Sequence, residues 1–344
     1  MVSKESSINF IVIGAGRMGR IHIDAGQRCG FNLVGVSDLR AEALQDIQEK
    51  YGLSPSRAFL NNLDLLNQVD FDLAIVATTA PSHFKIVKAL STTKVKFILC
   101  EKPISNSIRH AQDMIELCRE KNIGLAINHQ MRYMEQYSMI KNAHSRFSVG
   151  DLKSMVVSGS NVGLAMNGTH YFEAFRWLTD NPITSVWAWL DESETNNPRG
   201  PEFFDQSGQI FATNILGQRL YLEIGSDLGH EIIVVYNYEF GKIVVNELSG
   251  MVHVNSRLLE DLKLPKTRYG LLGNREFFNI ERADTLNSTV EVLLSLINGN
   301  DYPTGENALH AIEVAFAAIM SSENGNSEIK LSDVHKNVIL QKWA

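Results

Sequence analysis

The fold of this chain is decided at residues 9–19, which read NFIVIGAGRMG. A mostly apolar run comes first, then three glycines with the spacing G-x-G-x-x-G, then a segment of helical character. In such a strand–turn–helix unit, Gly14 permits the tight turn, Gly16 lets the backbone approach a pyrophosphate and Gly19 lets helix and strand pack closely. The N–H groups at the start of the helix bind the anion. The stretch therefore predicts a dinucleotide-binding unit.

An acidic side chain follows the next apolar run, at residues 31–36. Asp38 stands where a carboxylate can accept hydrogen bonds from the adenosine ribose hydroxyls and repel a 2′-phosphate. This favours NAD as the cofactor. Arg40 can instead meet a 2′-phosphate, so NADP stays an alternative.

The first 128 residues alternate short apolar runs with segments of helical period. Buried parallel strands have continuous apolar runs because helices cover both faces of their sheet. The apolar runs stand at residues 8–13, 31–36, 73–77, 97–100 and 124–127, and the helical segments at 41–50, 82–90 and 107–121. Residues 1–128 are therefore predicted to form an α/β domain, a Rossmann fold with a doubly wound parallel sheet.

Residues 129–344 have a different pattern. Strand-like runs follow one another with short glycine-containing links, which predicts an antiparallel sheet in an α+β domain. These runs stand at residues 183–190, 209–214, 219–224, 232–238 and 242–245. Helical patterns lie at 168–178 and 307–320, and the polar stretch 191–208 predicts a long loop. Trp187 and Trp189 share one strand face, where burial in the sheet or in a subunit interface is expected.

Composition excludes several classes of protein. A formal charge of −7 in 344 residues argues against nucleic acid or an anionic membrane as the main partner, since both require a basic face. No apolar stretch is long enough to span a membrane, and residues 1–7 lack the apolar core of a secretion signal. The three cysteines, Cys29, Cys100 and Cys118, have no metal-binding spacing. We therefore expect a cytoplasmic protein without a metal site.

Further motifs extend the pattern beyond the glycine turn. They are ATTAPSH at residues 77–83, CEKP at 100–103, NHQMRY at 128–133, GTH at 168–170 and GKIVV at 241–245. In kind and order these motifs resemble those of the glucose-fructose oxidoreductase/inositol dehydrogenase (Gfo/Idh/MocA) family, and the resemblance covers residues 8–331. The Glu-Lys-Pro element is its most specific part.

The resemblance implies a Rossmann domain followed by a substrate domain with an open, mainly antiparallel sheet, assembled as a homodimer or homotetramer. It also implies hydride transfer at one carbinol carbon of a sugar, inositol or nucleotide sugar. It places the catalytic lysine at Lys102, before a cis bond to Pro103, and a second acid–base group at His170. In the family an aspartate precedes that histidine by four residues, whereas this chain has Met166. Asn167 is a poor substitute, because it projects about 100° further round a helix.

Hydride transfer at an alcohol leaves a proton that a nearby group must move. Lys102 follows the carboxyl end of a predicted parallel strand, where doubly wound sheets bind their ligands, although a lysine there can also be merely solvated. His170 is interpreted as a proton relay or a hydroxyl anchor, with a packed core histidine as the alternative. Arg132 and Tyr133 follow the last strand of the first domain. One interpretation is that they contact substrate or nicotinamide, and the other is that they are solvated, as loop arginines usually are.

Two sets of site residues are therefore expected. The cofactor set is Gly14, Ala15, Gly16, Arg17, Met18, Gly19, Asp38, Leu39, Arg40, Thr78, Thr79, Pro81, His83, Glu101 and Lys102. The substrate set is Lys102, Arg132, Tyr133 and His170. Pro81 is explained equally well as a first-turn residue of a helix.

These observations predict an NAD(P)-dependent dehydrogenase or reductase that acts on CH–OH groups of a sugar, amino sugar, nucleotide sugar or cyclitol. The alternative is a regulator that binds dinucleotide without turnover on the same fold. Lys102 and His170 favour the enzyme, and Met166 counts against it. Reduction of a C=N bond or of a tetrapyrrole would keep the cofactor and change the substrate. Self-association through the second sheet is expected, with Ile232, Val234 and Tyr236 on its uncovered face.

Overall fold

The structure is a computed structural model that describes residues 8–160, 163–191, 203, 205–225, 227–265, 273–340 and 343. The chain divides into two compact units. The first unit comprises Met1–Gln130, Asp284–Leu309 and Lys336–Ala344, and the second comprises Met131–Ala283 and His310–His335.

The first unit contains a parallel sheet. Its strands are β1 (Asn9–Ile13), β2 (Asn32–Ser37), β3 (Ala58–Phe59), β4 (Leu73–Val76), β5 (Phe97–Cys100) and β6 (Gly124–Ile127). Their order in the sheet is β3-β2-β1-β4-β5-β6. The chain thus leaves β1 in both directions, which creates a crevice at the carboxyl ends of β1 and β4. The predicted doubly wound fold is confirmed.

Helices alternate with these strands. They are α1 (Arg17–Arg28), α2 (Ala41–Tyr51), α3 (Asn62–Gln68), α4 (Ala80–Leu90) and α5 (Ile108–Glu120). Pro81 lies in the first turn of α4, and Ser107 caps α5 by accepting a hydrogen bond from the His110 N–H. The strands β1 and β4 read as unbroken apolar runs because helices cover both sides; from Phe10 to Ile13 no residue is exposed. β3 and α3 are too short for the sequence pattern to have predicted them.

The second unit contains a mixed, mainly antiparallel sheet. Its strands are β7 (Leu152–Ser160), β8 (Ile183–Leu190), β9 (Gly208–Asn214), β10 (Arg219–Gly225), β11 (Ile233–Tyr238), β12 (Gly241–Asn246), β13 (Met251–Ser256), β14 (Asn274–Asn279) and β15 (Ile329–Lys330). The order is β14-β13-β12-β11-β7-β10-β9-β8-β15. Among the described pairs of this sheet, only β7 with β10 is parallel. This confirms the predicted class of the second fold.

The remaining helices are α6 (Glu135–Lys141), α7 (Ala143–Phe147), α8 (Thr169–Thr179), α9 (Thr285–Asn298) and α10 (Gly305–Glu323). In the second unit, α6 and α7 lie on one face of the sheet: the Tyr238 hydroxyl donates to the Ile140 carbonyl, and the rings of Phe147 and Phe278 are stacked 6.0 Å apart. A π-helical turn, Leu164–Gly168, precedes α8.

The faces of β11 correct one expectation. Val234 and Tyr236 were expected on the uncovered face, but their exposures are 0% and 1%, so they point into the core. The half-buried residues of the strand are Ile233 and Val235. The sequence misleads here because residues 232–236 are all apolar, and a period of two then marks neither face.

A row of directly paired side chains crosses the other face of the sheet. It runs through Phe277, His253, Val244, Val235, Val156, Tyr221, Phe211 and Trp187. None of them is classed as buried, and the ring centroids of Trp187 and Phe211 and of Phe211 and Tyr221 lie 5.0 and 4.9 Å apart. We call this set the sheet-face row. Trp187 and Trp189 both lie on this face, as predicted, and Trp189 is 51% exposed.

The chain returns to the first unit after the second. Helix α9 packs on α1, where the Arg28 guanidinium donates to the Asn287 side chain. Residues 303–304 then cover the outer edge of β6: the Ile127 N–H donates to the Pro303 carbonyl, and Ala126 pairs with Thr304. A single domain boundary after residue 128, as the sequence suggested, leaves out Asp284–Leu309, which belong to the first unit.

Most of the long loop predicted at 191–208 lies outside the described residues. Among the helices that are described, none combines the length and the apolar character that crossing a membrane requires.

Candidate cofactor and active site

All six parallel strands of the first sheet end at one edge, and the predicted cofactor residues follow four of them. The glycine turn follows β1, Asp38 follows β2, Thr78 and Thr79 follow β4, and Lys102 follows β5. Carboxyl ends of parallel strands form the ligand-binding edge of such a sheet. The first unit thus brings these residues to the edge at which a dinucleotide binds in this fold.

The glycine turn has the geometry that a pyrophosphate requires. Gly14 has φ +102°, and a Cβ atom there would lie 2.6 Å from the Ala77 carbonyl oxygen. A Cβ at Gly19 would lie 2.0 Å from the Gly14 oxygen, so this position admits no side chain. At Gly16 the nearest atom to such a Cβ is Arg40 Nη2, 3.9 Å away, which leaves the backbone approachable. Among the described residues no side chain caps α1, and its first N–H groups point toward the turn. The residues fit a dinucleotide.

Asp38 is tied to this turn. Its Oδ2 accepts a hydrogen bond from the Ala15 N–H at 2.8 Å, and the Arg40 side chain and backbone also donate to its carboxylate. Burial alone would raise the pKa of Asp38, but the hydrogen bonds from Arg40 and Ala15 lower it below its ordinary value. The Asp38 side chain is 9% exposed and that of Arg40 is 63% exposed. A buried anion and an exposed cation therefore lie together where the ribose is expected.

The segment after β4 gives a mixed result for the predicted cofactor residues. The Thr78 methyl group packs against the glycine turn, 3.1 Å from where a Gly14 Cβ would stand. His83 is not exposed, and its ring nitrogens lie 3.0 and 3.1 Å from the carbonyls of Thr78 and Ile104. Burial lowers the pKa of His83, so the neutral ring donates to one carbonyl at a time. His83 therefore ties two loops together, which does not support the expected direct contact with cofactor.

Glu101 is also buried, at 6% exposure, although it was expected to touch the cofactor. Its Oε1 lies 2.7 Å from His22 Nε2 and accepts from Asn128 Nδ2 at 2.9 Å. Its Oε2 accepts from the Lys102 N–H at 3.2 Å. Burial would raise the pKa of Glu101, but His22, Lys102 and Asn128 lower it to about 2. The sequence did not assign a role to His22 or Asn128. We call His22, Glu101 and Asn128 the Glu101 cluster.

Lys102 itself is half-buried, and the bond between Lys102 and Pro103 is cis, as predicted. Because Lys102 lies two residues after the end of β5, this segment lies at the carboxyl edge of the sheet.

His170 is the second residue of α8 in the second unit and is 8% exposed. The turn before it is π-helical, with the Gly168 N–H bonded to the Gly163 carbonyl. The α-helical spacing that would put residues 166 and 170 on one face therefore does not apply. A carboxylate does reach this turn from elsewhere: buried Asp205 accepts from the N–H groups of Ala165 and Met166 at 2.7 and 2.8 Å. Such π turns are frequent at functional sites.

Arg132 and Tyr133 lie in a short 3-10 turn. The Arg132 side chain is 3% exposed and forms an ion pair with the Glu173 carboxylate, which Arg176 also contacts at 3.0 Å. Its guanidinium lies over the Trp177 ring. The charge of Arg132 is therefore paired with Glu173 within the second unit. This pairing does not support the expected contact of Arg132 with substrate or nicotinamide. Tyr133 is half-buried.

Comparison with known proteins also indicates an NAD-binding Rossmann fold at the start of the chain. Residues 8–129 match the profile of the Gfo/Idh/MocA oxidoreductase family, described as having an NAD-binding Rossmann fold. The chain is 26% identical over 194 residues to myo-inositol 2-dehydrogenase from Thermotoga maritima. That alignment covers 52% of this chain and 56% of the relative, so the chain spans little more than half of that protein's length.

Two solved structures resemble the whole fold. Scyllo-inositol dehydrogenase from Lactobacillus casei, with bound NAD(H) and scyllo-inositol, has a TM-score of 0.72 at 15% identity and covers 95% of this chain and 100% of its own. A super-repressor mutant of Gal80p from Saccharomyces cerevisiae has a TM-score of 0.74 at 14% identity, covering 96% and 99%. At these identities the two structures show a shared fold.

The glycine turn yields a prediction that separates binding from folding. Gly16→Ala should leave the free energy of unfolding nearly unchanged but weaken NAD binding about tenfold or more, because its methyl group faces the pyrophosphate path. Gly19→Ala should destabilise the fold by about 2 kcal/mol, since the turn must move away from the new Cβ. Urea unfolding and NAD titration measure the two effects.

Gly229→Ala is the matched control, because a Cβ there would have no neighbour within 4 Å. Equal NAD affinity for Gly16→Ala and the control would contradict the proposed pyrophosphate position.

Proposed function

We propose that this chain, whose residues 8–129 match the Gfo/Idh/MocA oxidoreductase family, is an NAD-dependent dehydrogenase that acts on a carbinol carbon of a cyclitol or sugar. One observation supports this most: the glycine turn, Asp38 and Lys102 follow strands of one sheet at its carboxyl edge. That edge supplies a site for the pyrophosphate, a site for the ribose and a titratable group further along. The inositol dehydrogenases among the relatives and solved structures support the substrate class.

Bound NAD supplies the hydride acceptor, and this chain must supply the rest of the chemistry. Hydride loss from a secondary alcohol leaves its hydroxyl proton to be removed. Lys102 is the group we propose for this exchange, with its uncharged amine accepting the proton through Nζ during oxidation. In the reverse direction the ammonium returns it. The glycine turn and the start of α1 hold the cofactor, and Asp38 holds its ribose.

We assign a different part to His170. Met166 replaces the aspartate that the family has four residues before this histidine, so the family's charged Asp–His pair is not formed by that residue. The role of His170 is to hydrogen-bond the reacting hydroxyl or a neighbouring one, which orients the substrate. Arg132 has no part in this proposal, because its charge is already paired with Glu173.

A second candidate is a regulator that binds dinucleotide without turnover. Met166, in place of the family's aspartate, and the structural similarity to Gal80p favour it. Lys102 and His170 are present and favour the enzyme. A panel of inositols, sugars and nucleotide sugars, each incubated with NAD or NADP and followed by the absorbance of reduced cofactor, distinguishes the two. Turnover of any polyol excludes the pure regulator, whereas NAD binding with no turnover across the panel supports it.

Cofactor preference gives the next prediction. Asp38→Ser should weaken NAD and improve NADP, lowering the ratio of NAD to NADP affinity by about tenfold, because a charge that repels the 2′-phosphate is lost. Arg40→Gln is the partner variant: if Arg40 meets a 2′-phosphate, only NADP should weaken. Titration of both cofactors into both variants gives the ratios, and a ratio unaffected by Asp38→Ser would refute the ribose assignment.

The roles of Lys102 and His170 differ in their kinetic consequences. Lys102→Met should lower turnover by about two to four orders of magnitude while dinucleotide affinity changes little, since one acid–base group is removed. His170→Ala should raise the Michaelis constant and lower turnover less. Profiles of rate against pH for both variants check the assignment. The roles are reversed if the basic limb vanishes in His170→Ala but survives in Lys102→Met.

We also propose that a second copy of this chain covers the sheet-face row. The row presents aromatic and branched side chains on every strand it crosses, and apolar faces of that extent rarely stay exposed on monomers. A homodimer or homotetramer formed there would bury both copies of the row.

A charge placed in the row tests this assembly. Phe211→Lys should convert the assembly to a species of 38.5 kDa, because a buried unpaired charge is costly at an interface. Leu63→Lys is the control, since Leu63 is 59% exposed on α3 and lies outside the row. Sedimentation velocity at micromolar concentration measures the mass, and wild-type protein that sediments only at 38.5 kDa would rule the assembly out.

A further inference from the structure

The Glu101 cluster joins three separate elements of the first unit. His22 lies on α1, six residues beyond the Gly16 cap, and faces the sheet together with Gly19, Ile23 and Gly26. Glu101 follows β5, and Asn128 follows β6. One carboxylate thus connects the helix that begins at the glycine turn with the segment that carries Lys102.

The cluster is fully enclosed. His22 is 0% exposed, Asn128 is 1% and Glu101 is 6%. His22 and Asn128 each donate a hydrogen bond to the same carboxylate oxygen of Glu101. Their other polar atoms, His22 Nδ1 and Asn128 Oδ1, make no hydrogen bond to the described residues. Replacing buried ion pairs by apolar side chains of similar volume is often neutral or stabilising, so a buried pair is weak evidence of a role in stability. The arrangement therefore points to a role for the charge itself.

That charge lies next to the proposed proton carrier. Glu101 directly precedes Lys102, and the second carboxylate oxygen accepts from the Lys102 N–H at 3.2 Å. The electrostatic interaction between the two residues is favourable to the ionised carboxylate. Within the described residues, Glu101 also interacts electrostatically with His22, His83 and Cys100, and all three are buried.

We propose that His22 and Asn128 fix Glu101 as a buried anion that positions Lys102 and stabilises the ammonium that its amine becomes when it accepts the proton of the alcohol. Glu101 and His22 are then positioning residues, and Lys102 is the group that exchanges the proton. This inference rests on the role proposed for Lys102. The inference adds that the Glu101 carboxylate links α1, the helix that follows the glycine turn, to Lys102.

Competitive labelling of Lys102 tests the charge effect without substrate. Wild-type protein and Glu101→Gln are treated with trace acetic anhydride across a range of pH, and labelling of the peptide that contains Lys102 is measured by mass spectrometry. The titration of labelling gives the apparent pKa of this amine. We expect it to fall by about one unit in Glu101→Gln, because the neighbouring negative charge no longer favours the ammonium form.

Asp46→Asn is the matched control. It removes a carboxylate on α2 that forms an ion pair with Arg20 at 2.7 Å. Arg20 lies on α1, as His22 does, but this ion pair is on the surface. The control should leave the Lys102 titration unchanged. An equal titration for Glu101→Gln and wild type would overturn the inference, whether or not any polyol is turned over.

The positioning effect is tested with two variants of His22. Gln keeps an N–H donor for the carboxylate and Ala does not, while Glu101 stays charged in both. His22→Ala should lower kcat about tenfold with an unchanged Lys102 titration, and His22→Gln should restore kcat to within about threefold of wild type. Equal rates for the Ala and Gln variants would overturn the inference, and these variants decide it if Glu101→Gln does not fold.

The results also separate this inference from the proposed function. If no substrate is turned over but the Lys102 titration moves in Glu101→Gln, the proposed reaction fails and the electrostatic coupling stands. If turnover is found and the titration does not move, the reaction stands and the coupling fails.

Discussion

Helix α1 can pack against β1 only because residue 19 has no side chain: a Cβ there would lie 2.0 Å from the Gly14 carbonyl oxygen. Gly26 meets a similar constraint about two helical turns later, where a Cβ would lie 2.6 Å from the Phe10 ring. This close approach sets the position of the helix N-terminus over the end of β1 and points its N–H groups to one spot. It also carries His22 inward, to the carboxylate that precedes Lys102. The cofactor position and the proton carrier therefore depend on the same packing.

Signals that are local in the sequence predicted much of this. The glycine turn, Asp38 and the end of β5 each lie within a few residues of an apolar run whose period is unambiguous. The exposed row of the second sheet was assigned to the wrong residues, because Val234 and Val235 are both apolar and alternation fails. The return of α9 to the first unit had no local signal either, since a helical pattern does not say which sheet it covers.

The parts of the site that sequence reasoning missed are all long-range. His22 and Glu101 are 79 residues apart, and Asp205 reaches Met166 across 39. One clue to His22 was present: it shares a helical stripe with Gly19, Ile23 and Gly26, so its side chain had to face the sheet. Which carboxylate it would meet depends on the order β1-β4-β5-β6, and residue spacing alone does not give that order. For Arg132 the sequence predicted a ligand contact, but the side chain instead forms an ion pair with the buried Glu173, 41 residues away.

We propose that this chain moves a hydride from a carbinol carbon to nicotinamide. The most direct measurement uses a polyol or cyclitol that carries deuterium on its carbinol carbons, together with NAD and the wild-type protein. Mass spectrometry of the recovered cofactor then reads the transfer. We expect reduced nicotinamide that has gained one deuterium per molecule, formed together with one ketone. Recovery of bound but unlabelled, oxidised NAD from every such substrate would contradict it.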